Sequence, residues 1–336
     1  MRPFSYERAD DVATATRLGR DAGQGQVDTP MQYLAGGTTM IDLMKLDVMR
    51  PQRLVDITPL KARYGQISAG PDGLRLGALA SMADVAQDAA VKRDYPAVAQ
   101  SLQLAASQQL RNMATLGGNV LQRTRCPYYR DPSWSACNKR VPGSGCGAIK
   151  GFNRNHAVLG VDDQCIALYP GDFAVGLAAF DAEVSLSGSA GERKIPFREL
   201  HRPAGQPQAE TTLRPGEVIT AFLIPAGPWA RRSVYVKVRD RQSYEFAIAS
   251  AVVGLQMDGD HVAAVRIALG GMAYRPWRAK AAEEALVGKV LTEETAGAAA
   301  RIAFDGAVTH GHNDYKPELG RRTLVRALMQ AKTLEA

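Results

Sequence analysis

The sequence predicts an α+β protein with two domains, and three features indicate this class. Short strand-like and helix-like segments are mixed over residues 1–224. The run Pro225-Ala226-Gly227-Pro228 then marks a domain boundary. Over residues 229–333 strands come first and helices follow, which is typical of an α+β domain. With 336 residues and 46% hydrophobic content, the chain is long enough and apolar enough for both domains.

The charge balance and the hydropathy pattern exclude some classes of partner. The chain has 41 Lys and Arg residues against 34 Asp and Glu residues, a net charge of +7. The basic residues are scattered, without the basic stripe and reading motif of a nucleic-acid-binding protein, so we expect no nucleic-acid partner. No run reaches the ~18 apolar residues of a membrane span. Residues 1–7 lack the apolar centre of a signal peptide, so we do not expect this chain to direct its own export.

Local patterns predict the elements of the first domain. Asp10 and Asp11 indicate the acidic start of a first helix, which Gly23 and Gly25 are expected to end. The run Pro71-Asp72-Gly73 predicts a turn before a strand. Helices are predicted at 82–90, capped by Ser81, and at 98–113, where apolar residues recur at helical spacing.

The C-terminal domain shows a hairpin followed by helices. The run Asp258-Gly259-Asp260 predicts the turn between two strands of a hairpin. Helices are then predicted at 279–286 and 292–308, and a closing helix is expected to begin at Arg321. His310 and His312 could bind a metal, but an exposed loop is the favoured interpretation.

Two glycine pairs in the first domain are candidates for binding a pyrophosphate. The first, Gly36-Gly37, follows a short strand, and the second, Gly117-Gly118, follows a helix-like run. Adjacent glycines let backbone N–H groups approach a phosphate closely. A plain tight turn remains the alternative for the first pair alone, but two such turns in one domain are what holding a pyrophosphate from both sides requires. Neither has the G-x-G-x-x-G pattern, which disfavours a Rossmann domain.

All four cysteines lie in one window of 40 residues, separated by ten, eight and eighteen residues. No C-x-x-C pair is present, which disfavours thioredoxin-like and ribbon-type zinc sites. Glycines and basic residues surround them, as suits a cluster of thiolates. Two disulfides, a structural zinc ion and unrelated buried thiols remain alternatives, and the spacing does not separate zinc from a [4Fe–4S] cluster. The cysteines are Cys126, Cys137, Cys146 and Cys165.

These motifs together resemble a known family. The run Ala35-Gly36-Gly37-Thr38, with Arg111-Asn112 and Thr115-Leu116-Gly117-Gly118-Asn119, is similar to the FAD-binding medium subunits of the molybdenum hydroxylases, the xanthine dehydrogenase and aldehyde oxidoreductase family. The cysteine-bearing insertion, at about 120–168, resembles that of the flavin subunits of bacterial periplasmic aldehyde oxidoreductases. The resemblance covers essentially the whole chain. It implies a two-lobed FAD-binding domain of the vanillyl-alcohol-oxidase (PCMH) type at 1–224 and a CO dehydrogenase flavoprotein-type domain at 229–333.

The resemblance also implies a set of cofactor-binding residues. The four cysteines are expected to bind a [4Fe–4S] cluster. Thr39 stands where an Asp is frequent in the family, and its hydroxyl can still bond a phosphate or ribityl oxygen. Charge at a helix start is the alternative role for Asp172, and a solvated strand edge is the alternative for Lys237. The expected FAD contacts are Leu34, Ala35, Gly36, Gly37, Thr38, Thr39, Met40, Thr115, Gly117, Gly118, Asn119, Asp172, Ile219, Lys237 and Tyr244.

The implied function is electron transfer within a heterotrimeric aldehyde oxidoreductase, with no catalytic residue in this chain. A large partner subunit is expected to carry the molybdenum cofactor, and a small one two [2Fe–2S] clusters. Tyr244 stands near the point where NAD-reducing relatives have an acidic residue, which disfavours NAD as acceptor. Export with a signal-bearing partner implies the periplasm, with the cytoplasm as the alternative. Alternative functions are a stand-alone flavin oxidoreductase, the flavin subunit of a related hydroxylase or acyl-CoA reductase, and a binding protein stabilised by zinc or disulfides.

Overall fold

A computed structural model of the protein describes residues 1–21 and 27–335, apart from the side chain of residue 21. Its first lobe contains a parallel sheet in the order β1-β3-β2. Asp11 caps the first helix as predicted, since its carboxylate accepts a hydrogen bond from the Thr14 N–H. Gly23 and Gly25, which were expected to end that helix, lie outside the described residues. The elements of this lobe are β1 (Ser5–Arg8), α1 (Val12–Leu18), β2 (Asp28–Leu34), α2 (Met40–Lys45), β3 (Arg50–Asp56) and α3 (Lys61–Tyr64).

The second lobe is built on an antiparallel sheet in the order β4-β5-β8-β6-β7. The turn predicted at Pro71-Asp72-Gly73 is confirmed, and it joins β4 to β5. Strand β5 pairs along its other edge with β8, although about 140 residues of sequence separate the two. The strands are β4 (Ile67–Gly70), β5 (Gly73–Gly77), β6 (Glu183–Gly188), β7 (Gly191–Pro196) and β8 (Val218–Pro225).

Short helices fill the stretch between β5 and β6. Ser81 caps the first of them as predicted, by accepting a hydrogen bond from the Asp84 N–H. That helix ends at Gln87, before the predicted residue 90, because the Asp88 carboxylate accepts from two following N–H groups and starts a new helix. The helices are α4 (Met82–Gln87), α5 (Ala89–Asp94), α6 (Pro96–Gln103), α7 (Gln108–Met113), α8 (Leu116–Val120), α9 (Pro127–Arg130), α10 (Gly147–Lys150) and α11 (Phe173–Ala179).

Two sequence predictions in this stretch were wrong. The single helix predicted at 98–113 is two helices, because Ala106 takes a positive φ of 47° and Ser107 caps a new start at α7. The second glycine pair, predicted as a turn, lies instead in the short helix α8. Thr115 is its N-cap and accepts a hydrogen bond from the Gly118 N–H at 3.3 Å.

The C-terminal domain places helices on one antiparallel sheet, in the order β12-β11-β10-β9. The predicted hairpin at Asp258-Gly259-Asp260 is confirmed, and so is the α+β class of the chain. The closing helix begins at Lys316, earlier than predicted, and α13 ends at Ala303 rather than at 308. The elements are β9 (Ser233–Val238), β10 (Ala249–Asp258), β11 (His261–Gly270), β12 (Trp277–Arg278), α12 (Lys280–Leu286), α13 (Glu293–Ala303) and α14 (Lys316–Lys332).

Helix α11 joins the two domains through a common apolar core. All seven of its residues are buried, among them Phe173, which packs edge-on against Phe222 of β8. The same cluster of buried side chains includes Tyr235 of β9 and Val252 of β10. Asp172, the residue directly before α11, therefore lies at the contact between the domains.

Candidate functional site

The two glycine pairs predicted to act together lie on segments that touch. A Cβ atom at Gly36 would overlap the carbonyl oxygen of Met113 and stand 2.8 Å from its carbonyl carbon. Only glycine fits so close an approach of one backbone to another. The helix that follows is fixed from its other side, since the Gly117 N–H donates to the Ala78 carbonyl at 2.8 Å. The loop after β2 and the start of α8 thus form one surface.

A cleft runs along this surface, between the first lobe and the strand β8. Eleven of its lining residues were expected FAD contacts: Leu34, Ala35, Gly36, Gly37, Thr38, Thr39, Met40, Thr115, Gly117, Gly118 and Ile219. The cleft is closed on another side by Arg123, one of the basic residues that precede the cysteines, and by three residues that the sequence did not single out, Glu210, Leu213 and Arg214. Sequence positions that are almost 190 residues apart therefore meet around a single cleft.

The loop between β2 and α2 supplies backbone hydrogen-bond donors to the cleft. Within residues 1–21 and 27–335, the N–H groups of Gly36, Gly37, Thr38 and Thr39 donate to no other part of the chain. Gly37 has a φ of 74°, a left-handed conformation that turns successive amides in one direction. A run of unpaired amides on a glycine turn is suited to the oxygens of a phosphate. The loop therefore fits the pyrophosphate of a dinucleotide.

The other expected FAD contacts do not line this cleft. Asn119 faces α4, where its amide nitrogen lies 3.4 Å from the sulfur of Met82. Its buried oxygen Oδ1 has no hydrogen-bond partner among the described residues. Tyr244 is 56% exposed and takes a positive φ of 55° in the loop after β9.

Asp172 and Lys237 bind each other at the contact between the domains. The Lys237 Nζ donates to Asp172 Oδ2 at 2.8 Å, and both side chains are almost fully buried. Lys237 also donates to the Leu104 carbonyl at 3.0 Å, while the Tyr235 hydroxyl donates to Asp172 Oδ1 at 2.5 Å. Burial and the adjacent carboxylate raise the pKa of Tyr235. The alternative of a solvated edge for Lys237 is therefore wrong. Asp172 directly precedes α11, and its side chain makes no capping hydrogen bond to that helix.

Sequence analysis missed a buried ionic cluster at the wall of the cleft. Glu210 accepts from Arg123 Nε at 2.5 Å and from Lys139 Nζ at 2.6 Å, and Lys139 also donates to the Tyr274 hydroxyl at 3.0 Å. Burial alone would raise the pKa of Glu210, but the two cations lower it to about 2. Because Glu210 lies in an irregular segment without a motif, no local sequence pattern could identify it. The cluster ties the cleft to the cysteine-bearing insertion, to which Lys139 belongs.

The four cysteines come together in the insertion, and all are free thiols. Cys137 and Cys146 face each other as an isolated antiparallel bridge. Cys126 packs against three small apolar clusters, each of which contains or contacts another of the cysteines. A hydrogen bond with Cys165 lowers the pKa of Cys146 to about 6. Neither of the disulfides left open by the sequence is present.

Polar groups surround these thiols. The backbone amides of residues 128 and 129 lower the pKa of the Cys126 thiol against the effect of burial, and those of residues 148, 149 and 166 lower the pKa of the Cys146 thiol. The imidazole Nε2 of His156 lies 3.1 Å from the Cys126 sulfur. Among the described residues, no group of three or more His, Cys, Asp and Glu side chains is arranged to hold a single metal ion. His312 is exposed, as the exposed-loop interpretation expects, and its ring lies tilted against that of Phe152 with the ring centres 5.1 Å apart.

Two arginines that flank Cys126 connect the insertion to the first glycine loop. Arg130 makes two hydrogen bonds to the Asp42 carboxylate, at 2.9 and 3.0 Å, and Arg125 makes a third at 3.2 Å. Asp42 lies in the first turn of α2, directly after the loop of unpaired amides. One ionic contact therefore holds the cysteine-bearing insertion against the helix that follows the loop of unpaired amides.

Comparison with protein families matches this architecture. The model of the FAD-binding domain in molybdopterin dehydrogenase matches residues 2–227, and that of the CO dehydrogenase flavoprotein C-terminal domain matches residues 234–331. The chain belongs to the FAD-binding subunit family of the molybdopterin dehydrogenases. FAD is the cofactor of this family, and the chain is accordingly an oxidoreductase subunit.

Individual relatives are similar over their whole length. The aldehyde oxidoreductase FAD-binding subunit PaoB of Escherichia coli (strain K12) is 41% identical over 335 residues, or 99% of both chains. The carbon monoxide dehydrogenase medium chain of Afipia carboxidovorans is 26% identical and covers 99% of this chain and 96% of its own length. A carbon monoxide dehydrogenase structure from Hydrogenophaga pseudoflava superposes with a TM-score of 0.74 at 26% identity, covering 98% of each chain. No helix in the described part of the chain is both long and apolar enough to cross a bilayer.

Proposed function

We propose that this chain is the FAD-carrying electron-transfer subunit of a multi-subunit molybdenum-dependent aldehyde oxidoreductase. The observation that carries the proposal is the cleft, where a loop of unpaired amides meets a second glycine segment in a chain whose family binds FAD. The relative PaoB, which is an aldehyde oxidoreductase FAD-binding subunit, supports the choice of aldehydes as the substrate class of the complex.

The residues of the cleft fit the cofactor. The amides of Gly36, Gly37, Thr38 and Thr39 would hold the pyrophosphate, and the apolar side chains of Leu34 and Ile219 line the same cleft. When bound, FAD supplies a group that accepts and releases electrons singly or in pairs. The chain itself binds and orients this group. We propose no catalytic residue in it, so oxidation of the aldehyde is assigned to a partner.

We propose that the four cysteines hold a [4Fe–4S] cluster. Backbone amides near Cys126 and Cys146 favour the thiolate form of both side chains, and the Lys139 ammonium favours that of Cys165, as suits the ligands of an iron–sulfur cluster. Four cysteines can also bind a structural zinc ion. Analysis of iron, sulfide and zinc in the purified protein separates the two.

The partners in this proposal are a large subunit with the molybdenum cofactor and a small subunit with two [2Fe–2S] clusters. The medium chains of carbon monoxide dehydrogenases, which match this chain over 96% of their length or more, support a division of labour between subunits. We further propose a boundary between the two domains of this chain near residues 225–228. We also propose that the protein is located in the periplasm, where it would arrive by export together with a signal-bearing partner. This location is supported by the resemblance of the cysteine pattern alone.

Tyr244 bears on the electron acceptor of the complex. Its exposed phenol stands in the loop after β9 and does not line the cleft. The choice of acceptor therefore rests on the family resemblance, in which NAD-reducing relatives have an acidic residue near this point. We propose an acceptor other than NAD. The purified complex is expected to reduce a one-electron dye and to leave NAD⁺ unreduced at the same aldehyde concentration. Reduction of NAD⁺ at a comparable rate would contradict this part of the proposal.

The decisive experiment isolates the chain from its native host without oxygen and analyses what co-purifies. We expect one FAD and about eight iron and eight sulfide ions per complex, about four of each from the two [2Fe–2S] clusters of the small subunit and about four of each from this chain, together with a molybdenum-containing large subunit and aldehyde turnover by the complex. Cys146→Ser should lower iron and sulfide, whereas Ser133→Ala, an exposed change in the same insertion, should not. A colourless protein, or aldehyde turnover by this chain without partners, would overturn the proposed function.

A further inference from the structure

We infer that His156 donates its Nε2 hydrogen to the sulfur of Cys126, and that Lys316 holds the imidazole in the tautomer that makes this bond. The pair would then raise the reduction potential of the iron–sulfur cluster, so the inference rests on the proposed function. His156 is a positioning residue here, since it acts through Cys126 and contacts no substrate.

The position of the His156 ring is fixed by its backbone. The His156 N–H donates to the Asn153 carbonyl at 2.9 Å, and the next N–H, that of Ala157, donates to the Ile166 carbonyl at 3.0 Å. The side chain is buried, and its Nε2 lies 3.1 Å from the Cys126 sulfur. A thiolate bound to iron carries no hydrogen. The hydrogen of this contact must therefore come from the histidine.

A neutral imidazole has a single N–H, so a hydrogen on Nε2 leaves Nδ1 as an acceptor. The Nδ1 of His156 is buried and has no partner among the described residues. It needs a donor, directly or through a buried water, because an unpaired buried acceptor destabilises the fold. A donor nearby would select the tautomer required for the bond to Cys126.

Two titratable groups act on the His156 imidazole, Lys316 and His310, whose own Nδ1 is buried and unpartnered among the described residues, and of these Lys316 is the group with several N–H donors. It begins α14, its side chain is fully buried, and its Nζ has no hydrogen-bond partner among the described residues. It is one of the charges that act on the His156 imidazole. The backbone brings the two segments together, since the Lys316 N–H donates to the Asn313 carbonyl and Asn313 Nδ2 donates to the Ala157 carbonyl. The buried Asn153 Oδ1 is a second orphaned acceptor in this polar pocket.

An ammonium buried without an acceptor is costly, and an apolar side chain of the same length would avoid that cost. The charge of Lys316 acts on the His156 imidazole, and because Nζ and Nδ1 form no direct hydrogen bond in the described structure, a buried water would carry the contact between them. A hydrogen bond to a cluster sulfur withdraws electron density from the iron and favours the reduced state. The same bond orients the thiolate, as groups behind a ligand do in other metal sites.

Two measurements on the oxygen-free complex test the inference. In wild-type protein labelled with ¹⁵N-histidine, electron spin-echo spectroscopy of the reduced cluster should detect a histidine nitrogen, because His156 alone among the five histidines bonds a cysteine in the described structure. His156→Phe should lower the ratio of reduced to oxidised cluster at a fixed ambient potential about tenfold, or about 59 mV for one electron. His156→Gln keeps a donor and should stay within about threefold of the wild type.

Lys316→Met should shift the same ratio in the same direction and weaken the ¹⁵N signal. His201→Phe is the matched control, since His201 is also buried but packs on Tyr169 and Phe197, and it should change neither readout. Absence of the ¹⁵N coupling in a protein that carries the cluster would overturn the inference, and this test needs no variant to fold. If Lys316→Met leaves the ratio of reduced to oxidised cluster unchanged, Lys316 has no part in positioning His156. A complex with only the iron and sulfide of the two [2Fe–2S] clusters, about four ions of each, would instead overturn the proposed cluster.

Discussion

Gly36 lies against the peptide that follows Met113, so close that a Cβ atom at position 36 would overlap the Met113 carbonyl oxygen. This contact joins the loop of unpaired amides to the segment that carries the second glycine pair. The width of the cleft at this point is therefore set by backbone against backbone, with no side chain in between. Even the smallest added side chain must push the two segments apart.

Gly36→Ala is expected to raise the dissociation constant of FAD by about tenfold or more, which corresponds to a loss of about 1.4 kcal/mol or more of binding free energy. The added methyl group displaces the amides that would hold the pyrophosphate. FAD retention is measured by ultrafiltration and absorbance of the purified protein. Gly70→Ala is the matched control, because a Cβ there meets nothing within 4 Å. Equal FAD content in the two variants would contradict the role of this contact.

Asp42→Asn is expected to loosen the insertion and the amide loop together. The change removes the charge that binds Arg125 and Arg130, and α2 directly follows the loop. We expect a loss of about 1 kcal/mol, as for a partly exposed ionic network, and a release of FAD that is roughly fivefold faster. Hydrogen exchange across residues 125–130 and stopped-flow release of FAD measure the two effects. Asp47→Asn, whose partners Arg2 and Arg50 lie outside the insertion, should change neither.

The buried pair of Asp172 and Lys237 predicts strong coupling in a double-mutant cycle. Asp172→Asn or Lys237→Met should each lower the free energy of unfolding by about 3–5 kcal/mol, because each leaves a buried group without its partner. The double variant should lose clearly less free energy of unfolding than the two single losses added together, and urea denaturation measures this difference. Asp240→Asn, in the exposed pair with Arg154, should cost less than about 1 kcal/mol. Additive single effects would show that the pair does not act as a unit.

The lowered pKa of Glu210 leads us to expect that the stability contributed by its ion pairs is lost in acid. Its pKa in the folded chain is about 2, below the ordinary value of 4.5, so its contribution is present above pH 4.5 and is lost as the pH falls toward 2. The difference in unfolding free energy between wild type and Glu210→Gln should shrink over that window by about 3 kcal/mol. Denaturant titrations at several pH values measure it. Glu192→Gln, at an exposed position of β7, should show no such trend.

The features that the sequence could predict are those that depend on a few neighbouring residues. Adjacent glycines, capping residues such as Ser81, and cysteines confined to one window are visible without knowledge of the fold. The break between α6 and α7 is not visible, because a non-glycine residue, Ala106, adopts the positive φ there. The Arg111 guanidinium, which donates to the Ala105 carbonyl at 2.6 Å, helps to hold that bend. Local propensity favours a continuous helix, and tertiary contacts override it.

Long-range pairing explains what the sequence could not predict. Lys237 belongs to a run of charges that looks solvated, yet its partner Asp172 lies 65 residues away and removes it from water. Glu210 has neutral neighbours in sequence, and its two cations come from the insertion. In both cases the decisive charge is contributed by another part of the chain. No window of neighbouring residues contains that information.

The pairing of β5 with β8 has a consequence for biosynthesis. Strand β5 acquires this neighbour only when residues 218–225 have left the ribosome, so the nascent chain carries the whole cysteine-bearing stretch before the sheet can close. During that interval the thiols and the glycine loop are exposed on an incomplete lobe. If the four cysteines bind the proposed cluster, this interval is the time during translation when iron and sulfide reach unprotected thiols, and a chain stalled before residue 218 remains a substrate for proteolysis.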